Sequence, residues 1–396
     1  MTQPVPNSIA AMAEELTAWR RDLHAHPELG YEETRTAGLV AERLRAFGFD
    51  AVETGVGRTG VVGILHGASG PAESAEKRVV LRADMDALPM QETSGRPWAS
   101  TAPGRMHACG HDGHTTMLLG AAKHLAETRS FDGTLVFVFQ PAEEGGGGAL
   151  AMIEDGLLER WPVRMAFGLH NMPGAPVGAM GTTPGAAMAY ADHFVIRVTG
   201  RGGHAAFPHM AADPIVAAAQ LVTAFQSIVS RRRDPMQPAV ISVTRINGGT
   251  ADNVIPGEVT LTGTVRTLSD DLARFLCDEM RRQCRAVGEA MGVEIDDSQI
   301  GLHPYPVCWN DPDATDFAVS VMREVVGEGA VDPAATPVLG GEDFAFFGKR
   351  VPSSFVFLGI GEAAPLHHPD YDFNDAAAPI GVAYWTRLAE RALPRG

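Results

Sequence analysis

Apolar residues recur at three- and four-residue spacing from the start of the chain, at Ile9, Met12, Leu16, Trp19 and Leu23, and the stripe ends near Pro27. That spacing gives a helix one apolar face, and proline stops it. A second helix is expected over residues 32–47. The pattern then shortens to β-rich runs closed by turn residues: 79–82 before Ala83-Asp84-Met85-Asp86, and 135–139 before Gln140-Pro141. Further runs of this kind occupy 165–169 and 354–358. Short apolar runs without polar alternation read as buried strands. A helical stretch over 115–127 lies between two of them, so strands and helices alternate as in a layered α/β sheet.

Residues 190–300 follow another rhythm. A strand over 194–198 precedes a helix over 214–231, strands over 240–245 and 259–265, a helix over 270–291 and a strand over 293–296. That order is β-α-β-β-α-β, the split ferredoxin-like motif. Its second helix carries Leu272, Phe275, Leu276, Met280, Cys284, Val287 and Met291 on one face. The expected fold class is therefore α/β: a large domain over residues 1–188 and 302–396, its mixed sheet covered by helices, interrupted by a smaller α+β domain over 189–301.

A chain of 396 residues exceeds the usual size of one core, in keeping with two domains. Its hydrophobic content of 45% and charged content of 20% are ordinary for a globular protein and exclude disordered, collagen-like and coiled-coil classes. The 48 acidic residues outnumber the 32 basic ones, a net charge of −16, and a field of that sign repels nucleic-acid phosphates and anionic lipid alike. Neither nucleic acid nor membrane is expected as a partner. No window approaches the length of a membrane span, and Met1 to Leu16 lacks a basic stretch followed by an apolar run. Four scattered cysteines, Cys109, Cys277, Cys284 and Cys308, do not make a disulfide framework. These features together read as a soluble cytoplasmic protein.

Metal-capable side chains collect in four segments associated with strands of the large domain, where ligands of open α/β sheets converge beyond the carboxyl ends of the strands. The densest is His107-Ala108-Cys109-Gly110-His111-Asp112-Gly113-His114, whose small residues let backbone fold closely around an ion. The plain alternative is a polar turn whose histidines cap the following helix. The second, Pro141-Ala142-Glu143-Glu144-Gly145, puts consecutive carboxylates at a strand end, where one can bind metal while the other faces a water. Alone it would read as a solvated acidic turn, and the glycine run after it lacks the lysine and hydroxyl of a phosphate loop. The third and fourth are Gly168-Leu169-His170-Asn171-Met172-Pro173 and Pro365-Leu366-His367-His368-Pro369. Jointly, Cys109, His111, Glu144, His170 and His367 offer five donors, more than one catalytic zinc takes and a reasonable set for two ions. Asp86 is either a carboxylate that orients a ligating histidine or a turn former before Pro89.

Together with Ala83-Asp84-Met85-Asp86-Ala87-Leu88-Pro89, Gly202-Gly203-His204-Ala205, Asn253-Val254-Ile255-Pro256 and Gly341-Glu342-Asp343-Phe344, these segments resemble the M20 metallopeptidase family across nearly the whole chain. Within it they resemble the amidohydrolase branch of hippurate hydrolases, N-acyl-amino-acid deacylases and auxin-conjugate hydrolases. The resemblance implies a two-metal hydrolase with Cys109, His111, Glu144, His170 and His367 as ligands and Glu143 as general base. His368 is the neighbour that competes with His367, and the leucine-histidine match selects the latter. Other branches carry a histidine at the place of Asp84 and a metal-bridging aspartate; the cysteine-histidine arrangement replaces them here. Thiolate softness favours zinc, while imidazole and carboxylate also suit manganese, cobalt or nickel. The resemblance further implies that the smaller domain is a lid and dimerisation module, in a homodimer or homotetramer. It gives His204 the task of polarising the scissile carbonyl in its own or a partner subunit, and Asn253 and Arg266 that of gripping substrate. The expected reaction cleaves a small N-acyl amino acid into a carboxylic acid and a free amino acid. A dipeptidase or aminoacylase of the same family, a thiol hydrolase using Cys109 and a metal-binding protein without turnover are the competing expectations.

Overall fold

A computed structural model describes residues 5–396. The chain divides into two compact units, one running to Ala187 and resuming over Trp309–Thr336 and Asp343–Gly396, the other comprising Met188–Cys308 and Pro337–Glu342. The return of 337–342 to the second unit is made by backbone: Ala189 N–H donates to the Gly340 carbonyl at 2.9 Å, and Met188 bridges Val338.

The first unit is built on an eight-stranded mixed sheet in the order Ala51–Val56, Gly60–His66, Thr134–Gln140, Arg78–Asp84, Met165–Met172, Ser353–Gly359, Met180–Gly181, Val331–Asp332. Its four central strands, from Thr134–Gln140 to Ser353–Gly359, run parallel. Thr134–Gln140 is buried at every residue, as a central strand covered on both faces must be. Side-chain alternation then sorts the residues. Val79, Leu81 and Ala83, with Leu135, Phe137 and Phe139, join the core packed by helices Ala13–Ala25, Thr34–Ala46, His111–Thr128, Pro312–Val326 and Ala378–Ala392. Arg82 and Asp84 point to the opposite face, where both are fully buried. The hairpin of Ala51–Val56 with Gly60–His66 and the two C-terminal helices were not among the expected elements. Pro312 after Asp311, whose carboxylate accepts the Ala314 N–H at 3.0 Å, is the start signal that marks one of them. Among the described residues no helix is long and apolar enough to cross a membrane.

The second unit is an antiparallel four-stranded sheet in the order Ala239–Gly248, Glu258–Thr267, Tyr190–Thr199, Glu294–Asp296, with helices Pro214–Ser227 and Asp270–Met291. Asp213 caps the first helix and Ser269 the second, and Gly292 closes the latter at φ 63°. The first ends at Ser227 rather than 231, because Ile228–Arg232 forms a π-helical turn. The stripe on Asp270–Met291 buries Leu272, Leu276, Met280, Cys284 and Val287, with Phe275 and Met291 half-buried at its edge. Cys277 and Cys308, which have no expected role, are both buried.

One buried polar group gives the first unit a pH-dependent stability. His24 Nδ1 lies 2.8 Å from Asp112 Oδ2 and its Nε2 3.4 Å from Glu92 Oε1, with Arg20 3.7 Å from the same aspartate. Burial pushes His24 down, but Asp112 and Glu92 outweigh burial and the repulsion of Arg20 and lift it to about 9. A histidine raised in the folded state stabilises fully below its unfolded value near 6.5 and loses that contribution as pH rises through about 9. Thermal midpoints are expected to fall between those pH values, and His24→Gln to flatten the slope; an equal slope in the variant refutes this.

Candidate metal centre

All five expected ligands and Glu143 lie at the carboxyl ends of the four parallel strands. The loop after Arg78–Asp84 carries Asp86 and Cys109, that after Thr134–Gln140 carries Glu143 and Glu144, and that after Ser353–Gly359 carries His367. Two local expectations differ. The helix begins at His111, not at 115, because Gly110 turns the chain at φ 90°, so His111 and His114 share one face of its first turn. His170 sits within the strand Met165–Met172, not beyond it, and its Nδ1 donates to the Asn171 carbonyl at 2.7 Å, leaving Nε2 for an ion.

The donor atoms meet. Cys109 Sγ is 3.4 Å from His170 Nε2, and Glu144 Oε1 is 3.2 Å from His367 Nε2 and 4.0 Å from His111 Nε2. Among the sets whose donors all lie within 4.8 Å of one another are Cys109, His111 and His170; Cys109, Glu144 and His367; and His111, Glu143 and Glu144. Shared members join them into one cluster. His368 turns elsewhere, its Nδ1 accepting the Asp370 N–H at 3.1 Å.

The residues fit divalent ions. His111 Nε2 is buried and finds no hydrogen-bond partner among the described residues, although such atoms are normally satisfied. The electrostatics point the same way. Burial would lower His111, yet Asp84, Asp86 and Glu144 raise it to about 10, so this pocket favours positive charge. Burial and the nearby Glu144, Glu143 and Asp84 hold the Cys109 thiol well above its ordinary range. Burial and the neighbouring His114 keep His170 well below the usual imidazole range, as a neutral ligand requires.

The carboxylate loop is pinned from several directions. Ala142 N–H donates to Glu33 Oε1 at 2.8 Å, Glu144 N–H to Asp86 Oδ2 at 2.9 Å, and Tyr31 Oη to the Gly146 carbonyl at 2.7 Å. Asp86 Oδ1 meets His111 Nδ1 at 3.1 Å, so this one carboxylate orients a histidine and a loop at once. The glycine run serves closure of that loop, since a Cβ at Gly148 would stand 1.6 Å from the Pro141 carbonyl oxygen. Ala142 and His367, at φ 50° and 63°, are non-glycine residues in the left-handed region. Gly110 combines two obstacles to replacement: besides its φ, a Cβ would lie 2.3 Å from Asn171 Oδ1 and 2.6 Å from Tyr371 Oη. Gly110→Ala is expected to lower stability by roughly 2–4 kcal/mol, backbone strain plus overpacking, read as a drop in denaturation midpoint; an unchanged midpoint refutes it.

The remaining expected residues belong to the second unit. His204 is exposed in the two-residue strand Gly203–His204, which pairs with Val254–Ile255, and the adjacent Ala205 N–H donates to the Asn253 carbonyl at 2.9 Å. His204 and Asn253 thus share one ribbon, whereas Arg266 is half-buried in Glu258–Thr267. Sequence reading assigned no role to Glu33, His114, Asn171 or Tyr371. The available signals were weak: His114 closes the donor-rich run, and Asn171 follows His170.

Known proteins are similar to this chain over nearly its whole length. The profile of "Peptidase family M20/M25/M40" matches residues 80–391. The hippurate hydrolase of Campylobacter jejuni is 42% identical over 374 residues, covering 94% of this chain and 95% of that enzyme. The N-acetylcysteine deacetylase of Bacillus subtilis is 37% identical, covering 96% and 97%. A crystal structure from Bacillus subtilis, described as a dinuclear metal binding peptidase from the M20 family, superposes with a TM-score of 0.79 at 32% identity, covering 96% of this chain and 98% of the other. With its donors gathered at the strand ends and its sequence aligned over that length, the chain belongs to peptidase family M20/M25/M40 and is an amide-cleaving metallohydrolase.

Proposed function

We propose that this enzyme hydrolyses N-acyl amino acids to a carboxylic acid and a free amino acid, using two divalent ions held by Cys109, His111, Glu144, His170 and His367. The observation that carries the reading is the convergence of those five donors with Glu143, a carboxylate at a position that binding alone does not need. The relatives that act on hippurate and N-acetylcysteine support the substrate class. Zinc suits the thiolate best, with manganese, cobalt or nickel as alternatives.

When bound, the ions supply a Lewis acid for the carbonyl and acidify water toward neutral pH. Glu143, 6% exposed, takes a proton from the attacking water and returns it to the departing amine. Asp86 keeps Nδ1 of His111 engaged, so that Nε2 carries the lone pair. His204 donates a hydrogen bond to the oxyanion, and Asn253 and Arg266 hold the substrate, in the assignment drawn from the family resemblance. The smaller unit acts as lid and dimerisation module of a homodimer or homotetramer. That Cys109, Cys277, Cys284 and Cys308 form no disulfide among the described residues supports a reducing, cytoplasmic setting.

The thiol-hydrolase reading is disfavoured by the direction of the Cys109 shift, because a nucleophilic cysteine needs a lowered value, and burial together with the surrounding carboxylates raises this one. The test is turnover of N-acetyl, N-benzoyl and indole-acetyl amino acids by protein loaded with each candidate ion. Metal-dependent release of free amino acid from at least one class is expected, and no release from any class with any ion refutes the proposal.

A further inference from the structure

We infer that Asp84, His114, Asn171 and Tyr371 form a buried positioning chain that sets the spacing between the Cys109-Gly110-His111 turn and His170, and so governs how tightly the ions are held. The inference rests on the metal reading above. All four side chains are essentially inaccessible. His114 Nδ1 lies 2.6 Å from Asp84 Oδ1, and its Nε2 lies 2.6 Å from Asn171 Oδ1; the Asn171 side-chain amide donates to Tyr371 Oη at 2.7 Å.

One end of the chain is fixed to the sheet. Arg82 donates to Asp84 Oδ2 at 2.9 Å, and the Thr115 hydroxyl donates to the Asp84 carbonyl at 2.7 Å. Its other end meets the centre. Gly110, the residue between two ligands, packs so closely on Asn171 Oδ1 and Tyr371 Oη that no Cβ fits, and Asn171 directly follows a third ligand, His170. The His114 and His170 rings also pack edge to face, with centroids 4.5 Å apart.

Asp84, His111 and His114 bring donor atoms within 4.8 Å of one another, which raises the alternative that His114 is itself a ligand. Both of its nitrogens already have partners, Nδ1 in Asp84 and Nε2 in the side-chain oxygen and the backbone N–H of Asn171, so neither is left for an ion. An amide whose oxygen and nitrogen are both paired in a buried site has one orientation, and fixed partners of this kind hold ligands in register. His114, Asn171 and Tyr371 therefore act through the ligands and touch no reacting atom.

The test is metal affinity of the full-length protein, measured by competition with a chelating dye, together with the absorption spectrum of the cobalt-loaded form, which reports the Cys109–cobalt geometry. Asn171→Ala and Tyr371→Phe are each expected to weaken at least one site by about 10–100-fold and to shift the spectrum, with Asn171→Asp retaining more affinity than Asn171→Ala because it keeps the acceptor for His114. Tyr384→Phe is the control: it deletes a buried hydroxyl that has no partner among the described residues, and is expected to change neither readout. Unaltered affinity and spectrum in both Asn171→Ala and Tyr371→Phe overturn the inference, as does an equal loss in Tyr384→Phe. Wild-type protein that binds no divalent ion would instead overturn the functional reading on which the inference stands.

Discussion

Glu143→Gln is expected to keep the fold and both ions while turnover falls by about 10²–10⁴-fold, the usual contribution of a positioned general base. Glutamine preserves the shape and volume of the side chain and removes only its ability to take a proton. The residue lies in the connected donor cluster, with a carboxylate oxygen within 4.8 Å of donors on His111 and Glu144. Loss of binding energy would raise KM, whereas loss of the base lowers kcat at constant KM. Metal content equal to wild type with a collapsed kcat is the expected pair of measurements. Near-normal kcat would remove Glu143 from the role.

Chelation should abolish activity completely, and a divalent ion should restore it. Cys109→Ala should lower metal content and cut activity by at least about 10²-fold, the upper end of the loss caused by altering even an outer partner of a metal ligand. Cys109 belongs to two donor groups, one with His111 and His170 and the other with Glu144 and His367, so deleting its sulfur disturbs both. An alkylating reagent separates this from nucleophilic catalysis. Loaded protein should resist the reagent and metal-free protein should be modified and then fail to reload. A chelated enzyme that still turns over would refute the metal mechanism and restore the thiol one.

The parts of this molecule legible in its sequence are those set by local physics. The strand Thr134–Gln140 was readable because a fully buried strand needs an unbroken apolar run, and the helix Asp270–Met291 because its stripe and its Ser269 cap are both local signals. The five donors were readable because their residue types cluster at strand ends. What escaped depends on distance in sequence. Glu33 fixes the loop at Ala142 across 109 positions, and Tyr371 meets Asn171 across 200, and no periodicity announces either. The start of the helix at His111 was missed because histidine and aspartate look like loop residues, while the determining feature was the backbone freedom of Gly110. Arg82 is the converse case: its strand was anticipated, but an arginine buried on the site's side of the sheet makes sense only once Asp84 and Asp343 are seen beside it.

The strand Ser353–Gly359 pairs in parallel with Met165–Met172, and the His367 N–H donates to the Ala108 carbonyl at 2.8 Å. During synthesis, then, the edge of Met165–Met172 waits without this neighbour until residues 353–359 have emerged from the ribosome. Unpaired edges of that kind invite wrong association. Stalled or truncated nascent chains of this enzyme should consequently be clients of chaperones, and a polypeptide ending before residue 353 should aggregate rather than accumulate as a folded fragment.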